Sequence, residues 1–168
     1  MWLVLAGTIG AAALVDVRAS KLGERVPFDG ITLQLPRNLV PTSEHDGEEV
    51  LQMRERGGNA FVARTLTVRR VAFSLRSLLR APPTRTEQFT LADGVAAKIS
   101  VVSSQVASDP ETGGPVKELE VLGVFTPPGG EPLVIGIRQL TFSERADAQR
   151  NVRMLKQILQ SVRFVKDA

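Results

Sequence analysis

The chain has no cysteine, no tyrosine and a single histidine, His45, among its 168 residues. The lack of cysteine excludes a disulfide framework, a thiolate metal site, a thiol nucleophile and lipid attachment through an N-terminal cysteine. One histidine leaves few groups for acid–base catalysis, and no serine lies in a nucleophile-elbow motif. The sequence therefore predicts a protein that is not an enzyme and that carries no cofactor.

Net charge and chain length further limit the possible partners and the number of domains. The formal net charge is only +3, so nucleic-acid binding would require clustering of the basic residues on one face. The chain is long enough for one domain and an appendage. About 150 residues remain after the opening segment, and a domain of that size buries ~70% of its unfolded surface.

The opening segment, residues 1–17, contains an uncharged apolar run from Trp2 to Val15. A helix of ~16 residues is ~24 Å long, shorter than the ~30 Å hydrocarbon core of a bilayer, which favours a signal peptide. No basic residue precedes the run. The only pattern like a signal-peptidase site, Val17-Arg18-Ala19, has an arginine directly before the small residue and is a poor site. Both observations favour an uncleaved anchor. A buried core helix is the third alternative. The residues that would contact lipid in an anchor are Trp2, Leu3, Val4, Leu5, Ile9, Leu14 and Val15.

Two signals disagree on which side of the membrane holds the domain. Arg18, Lys21 and Arg25 follow the segment, and the positive-inside rule then places the domain in the cytoplasm. An apolar N-terminus ahead of a soluble domain, however, is typical of export. We expect a periplasmic or otherwise exported domain on a single N-terminal membrane anchor, with a cytoplasmic domain as the alternative.

Alternating apolar residues predict a series of strands after a linker at residues 18–25. The domain begins with Phe28 and a turn at Asp29-Gly30. A strand follows, with Ile31, Leu33 and Leu35 on one face. A hairpin is predicted around the turn PPGGE at 127–131, with both of its strands buried on each face. The remaining predicted strands lie at 50–55, 60–71, 86–91 and 94–102.

Two helices are predicted between and after these strands. SLRSLLR at 74–80 has leucines at helical spacing and ends before Pro82-Pro83. Ser143 is the predicted N-cap of a longer C-terminal helix. An apolar stripe would pack that helix on the sheet; its members are Ala148, Val152, Leu155, Leu159 and Val162. We expect an α+β fold at 26–168, with a central antiparallel sheet of about six strands and helices on its faces, after an N-terminal apolar helix.

Arginines are concentrated in residues 57–86, where no acidic residue occurs. This asymmetry predicts docking to an anionic partner, either lipid headgroups or an acidic protein face; a solvated strand face is the alternative. Stacking aromatics are too few for nucleic acid, which we exclude as a partner. The predicted docking residues are Arg64, Arg69, Arg70, Arg76, Arg80 and Arg85.

The acidic stretch EHDGEE at 44–49 combines one imidazole with four carboxylates. Its spacing matches no calcium-loop template. We interpret it as a solvated turn and predict no metal site.

The two ends of the domain resemble the PsbP family. The resemblance rests on FDGITLQLPRNLVP at 28–41 and on the strand, helix and ILQSVRF ending at 133–164. It covers residues 26–165 in element order, through structural motifs. It implies a central antiparallel sheet flanked by helices and a role by contact rather than catalysis. Members look like photosystem accessory subunits, secretion adaptors or exported lipoproteins.

Two departures from the family limit what the resemblance implies. The chain lacks the lipoprotein cysteine, and none of its residues match metal sites seen in plant members. We expect a non-catalytic accessory subunit, anchored in the membrane lipid by its N-terminal helix. It would stabilise a larger membrane protein complex, such as a photosynthetic or other energy-transducing one. The alternative is an exported small-molecule or lipid-binding protein with a cleaved signal peptide and a pocket between helix and sheet.

Overall fold

The computed structural model describes residues 21–41, 50–55, 64–71, 79, 81–109, 111 and 113–165. The opening segment 1–17, the acidic stretch 44–49 and residues 74–78 of the predicted short helix lie outside the described residues. Ten strands and one helix are described: β1 (Leu22–Phe28), β2 (Ile31–Pro36), β3 (Leu39–Pro41), β4 (Val50–Glu55), β5 (Thr65–Arg70), β6 (Arg85–Thr90), β7 (Ala96–Ser108), β8 (Pro115–Phe125), β9 (Leu133–Thr141), α1 (Glu144–Ser161) and β10 (Arg163–Phe164).

The strands form two antiparallel sheets. The larger has seven strands in the order β3-β4-β5-β9-β8-β7-β6, and the smaller has the order β1-β2-β10. The predicted α+β class and antiparallel pairing are confirmed. The prediction of one sheet of about six strands is corrected, because β1 and β10 both pair with β2 in a sheet of their own. Strand β1 begins at Leu22, so residues 22–25 of the predicted linker belong to the folded domain.

The predicted turn at Asp29-Gly30 is confirmed, and it closes a β1–β2 hairpin in which Phe28 lies opposite Ile31. Asp29 has φ 46° and Gly30 has φ 73°. Two consecutive residues with positive φ make a type I′ turn, whose twist matches that of the flanking strands. Aspartate tolerates this left-handed conformation better than most residues with a Cβ.

Helix α1 covers one face of the large sheet, which we call the helix-bearing face. Leu155, Ile158 and Leu159 of the helix are fully buried there. They share one core cluster with Val121 of β8 and Leu33 of β2, so the helix joins the two sheets. The predicted apolar stripe is confirmed, with Ala148 only partly buried.

The opposite face of the large sheet also buries apolar side chains. By strand register, Leu122 of β8 and Val134 of β9 point away from the helix, and each is at most 2% exposed. Together with Val102 they lie outside the core cluster that includes α1. The prediction that the β8–β9 hairpin is buried on both faces is therefore confirmed.

Candidate binding cleft

A cleft of about 390 Å³ lies between the N-terminal half of α1 and the edge of the large sheet. Val101 of β7 and Ala148 and Val152 of α1 give it an apolar part. Its polar lining residues are Thr84, Arg85, Glu144, Arg145 and Gln149. The sheet-side wall exists because β6 begins at Arg85, opposite Val101, while β7 continues for seven residues beyond Val101.

Two arginines line the cleft from different elements. Arg85 comes from β6 and Arg145 from the first turn of α1. The Arg85 side chain is 58% exposed and lies 3.0 Å from an oxygen of Glu87. Arg145 is exposed, and no described residue forms an ion pair with it. The mouth of the cleft is therefore cationic.

The one carboxylate of the lining, Glu144, is already bound. Lys117 Nζ lies 2.5 Å from Glu144 Oε2. This hydrogen bond lowers the pKa of Glu144; partial burial opposes the shift, and the Ser103 hydroxyl contributes a further bond. A general base is most effective when its pKa lies near the operating pH. Glu144 is thus poorly suited to accept a proton, and its charge is already paired with that of Lys117.

Beside the cleft, Glu87 bridges the strand and the helix. Lys156 Nζ of α1 lies 3.0 Å from Glu87 Oε1. Burial raises the pKa of Glu87, but contacts with Lys156 and Arg85 outweigh that effect and lower the pKa overall. The bridge links the edge strand β6 to α1 beside the cleft.

The structure does not bring the described members of the predicted arginine group onto one surface. Arg64 is only 9% exposed, and its Nε donates to Gln139 Oε1 at 3.3 Å. Arg70 binds Asp29 through two nitrogens and is half exposed. Arg69 points to the opposite face of the sheet, as its register with Val134 requires. Arg76 and Arg80 lie outside the described residues.

A buried polar group beneath α1 was missed from the sequence. Gln139 accepts from Arg64 and, at 2.8 Å, from Nδ2 of Asn151, which is fully buried. Thr141 donates its hydroxyl to Asp147 in the first turn of the helix. Asn151 is not one of the positions of the predicted apolar stripe, so the helical periodicity did not indicate that it is buried. These bonds fix the N-terminal half of α1, and hence one wall of the cleft.

Metal-ligand clusters and membrane-spanning helices are both absent from the described ranges. In that part of the chain, no group of three or more His, Cys, Asp or Glu residues is placed to hold a metal ion. None of the helices described there has the length and apolar character needed to cross a membrane. Comparison with profiles of known protein families and with curated proteins gave no match.

Proposed function

We propose that this protein is a non-catalytic accessory subunit that binds a larger membrane protein complex. The observation that carries the proposal is the cleft, which presents Arg85 and Arg145 beside an apolar floor. An arginine binds carboxylate through a planar fork of donors, and the apolar floor adds contact area. Such a surface suits recognition of an acidic protein segment.

The lining offers no convincing catalytic group. Its hydroxyl, on Thr84, is bonded to the carbonyl of Val101 at 3.2 Å. Its carboxylate, Glu144, has a lowered pKa because Lys117 and Ser103 bind it. A nucleophile needs an adjacent base to activate it, and neither residue supplies one to the other. Binding is therefore the better supported role for this cleft.

The membrane part of the proposal rests on the sequence. Residues 1–17 would anchor the chain in the lipid, with the domain on the exported side. Confinement to a membrane raises the effective concentration of a domain near its partner, so a modest contact at the cleft would suffice. A photosynthetic or other energy-transducing complex is the kind of host that the PsbP resemblance suggests.

The test compares retention in native membranes solubilised in mild detergent. We expect the wild-type protein to migrate with a larger complex and the pair Arg85→Gln and Arg145→Gln to be released from it. The matched control is the pair Lys98→Gln and Arg153→Gln, which removes the same charge from exposed positions outside the cleft. Raising the salt should mimic the cleft variant, because exposed charges are screened over ~8 Å at physiological ionic strength. Migration of the wild type only as a free 18.2 kDa species would contradict the proposal.

A second candidate function is transport or storage of a small amphipathic anion by an exported protein. The volume of about 390 Å³ falls within the range of ligand pockets, roughly 300–1,000 Å³. This candidate requires a mature chain that begins near Ser20. Intact mass separates the two: an intact Met1 argues against it. Saturable binding of a fluorescent fatty acid, weakened in the Arg85→Gln and Arg145→Gln pair, would support it.

A further inference from the structure

Strand β7 is paired on one side for its whole length and on the other side for only half of it. It pairs with β8 from Ala97 to Ser108, but with β6 only from Ala96 to Val101. The N–H of Thr84 bonds to the Val101 carbonyl at 2.8 Å. Pro82 and Pro83 precede Thr84, and proline has no N–H to continue the ladder. The pairing with β6 therefore stops where the chain reaches these prolines.

The backbone beyond Val101 offers hydrogen-bonding groups to the open edge. Because the carbonyl of Val101 faces β6, alternation directs the N–H and C=O of Ser103 and Gln105 to the same edge. In the described part of the chain, no strand pairs with β7 at these two residues on that side. Gln105 and the next three residues are all exposed. This segment, residues 103–108, is called the open edge below.

The open edge carries only part of the usual protection against strand addition. Natural edge strands are commonly blunted by charged side chains, prolines, β-bulges or covering elements. Residues 103–108, SSQVAS, contain neither a charge nor a proline. Val106, within the open edge, is 50% exposed. It thus offers an apolar contact to a strand added there. A bulge between Gln105 and Ala107 limits the regular part of the edge.

The open edge runs directly into the cationic cleft. Val101 lines the cleft, and Ser103 bonds to Glu144, another lining residue. An added strand would direct every second side chain to the helix-bearing face, where Arg85 and Arg145 are found. Its other side chains would lie over the opposite face, on which β7 carries Val102. An added strand would therefore fit best with an acidic side chain on the helix-bearing face, near the arginines, and apolar side chains on the opposite face.

We infer that the open edge of β7 binds an extended acidic segment of a partner protein by strand addition, with an acidic side chain in the cleft. This inference rests on the proposed function, since it names how the partner of that cleft is held. Main-chain hydrogen bonds would give affinity, and the cleft would give specificity for acid.

The test uses the full chain and a synthetic hexapeptide probe, acetyl-TVEVTV-amide, with acetyl-TVKVTV-amide as its basic counterpart. We expect the acidic peptide to bind more tightly and to slow hydrogen exchange at the amides of Ser103 and Gln105. Gln105→Pro removes the outward N–H, whereas Gln105→Ala removes the same side chain and keeps it. We expect about a tenfold loss of affinity for the first and less than about twofold for the second, as loss of a main-chain bond predicts. Proline is tolerated at an edge whose N–H faces solvent, and circular dichroism checks that the variant folds.

The outcomes separate this inference from the proposed function. Binding that is lost in the Arg85→Gln and Arg145→Gln pair but unaffected by Gln105→Pro would overturn strand addition and leave the cleft as a binding surface. No binding of either peptide, or no protection of Ser103 and Gln105, would also overturn it, while retention in native membranes tests the proposed function independently. If the chain alone dimerises, and Gln105→Pro abolishes the dimer, the open edge binds a second copy of this chain. That result would overturn the inference that it binds a segment of a partner protein.

Discussion

Asn151 of the helix α1 donates its side-chain amide to Oε1 of Gln139 on the central strand β9, at 2.8 Å and out of contact with solvent. The same oxygen accepts a bond from Arg64 on β5. A neutral amide thus joins three elements at the level where the cleft begins. Buried polar groups of this kind specify one arrangement of the elements, because any shift leaves donors or acceptors without partners.

We expect Asn151→Ala to lower the free energy of unfolding by about 1 kcal/mol, the net contribution of one hydrogen bond, because Gln139 keeps its bond from Arg64. Gln149→Ala is the matched control, because Gln149 lies two residues earlier in the same helix and is exposed; its effect should stay within about 0.5 kcal/mol. Urea unfolding measures both. Equal stability of the two variants would show that the buried amide contributes nothing net.

Asp29 links the turn of the small sheet to Arg70 of the large one, and its pKa controls that link. The hydrogen bond from Arg70 lowers the pKa of Asp29 from its ordinary 3.8, with desolvation opposing and the charge of Arg70 assisting. A lowered folded-state pKa contributes stability above pH 3.8, and that contribution is lost as the pH falls through the folded-state value. Because Arg70 is half exposed, we expect only about 0.5–1 kcal/mol at pH 7.

Asp29→Asn provides the test, since asparagine also accepts the positive φ of this position. We expect the variant to be less stable than the wild type at pH 7 and equal to it at a pH well below the folded-state pKa. Urea unfolding at several pH values gives the two curves. A constant difference between them at every pH would mean that the turn geometry, and not the ion pair, is responsible.

The C-terminal carbonyls of α1 are bound by arginines that lie outside the helix. Arg25 donates to the carbonyl of Ser161 at 2.8 Å, and Arg163 donates to those of Gln160 and Val162 at 3.0 and 2.7 Å. No basic residue lies in the last turn itself. Cations at this end of a helix stabilise it by typically 0.3–1 kcal/mol.

Replacing Arg25 by Gln should therefore destabilise the fold by about 1 kcal/mol, because both a charge and a bond to Ser161 are lost. Arg153→Gln removes an equal charge from an exposed position in the middle of the helix and should have little effect. Thermal unfolding with rising salt distinguishes the two contributions, since salt screens the charge more than the bond. An equal effect of both substitutions would contradict this role of Arg25.

Gly123 on β8 lies directly beneath α1. A Cβ at this position would approach Leu159 Cδ1 to 3.1 Å and Leu155 Cδ2 to 3.3 Å. We expect Gly123→Val to lower stability by about 1–3 kcal/mol, the usual cost of overpacking a core, and Gly123→Ala to cost less because the leucine ends can shift. Crystal structures or thermal unfolding of both variants check this order. A neutral valine would mean that the helix can move away freely.

The sequence predicted well what depends on local periodicity. The C-terminal helix, the turn at Asp29-Gly30 and the central β8–β9 hairpin each show a pattern that one segment carries by itself. Pairing between distant segments could not be predicted in this way. Arg163 lies opposite Thr32 in the small sheet, and nothing in either segment alone indicates that partner.

The candidate site was harder to predict for a related reason. Arginine density along the chain suggested one surface, but Arg64 and Arg69 differ by five positions, and side chains at such a spacing in a strand lie on opposite faces. Arg145 belongs to a helix 60 residues after Arg85, and only the fold places the two beside one cleft. The open edge of β7 was also missed, because SSQVAS carries no strong strand pattern on its own.

The position of β9 has a consequence for the order in which the protein can be made. This strand lies between β5 and β8, and β10 pairs with β2, so both sheets depend on the last part of the chain. A nascent chain that ends before Leu133 has no strand to join its early half to its late half, and its apolar residues at Leu66 and Val121 lack their partners. Neither sheet can therefore be completed before β9 and β10 have been synthesised, and the strands made earlier must wait for these two to join them.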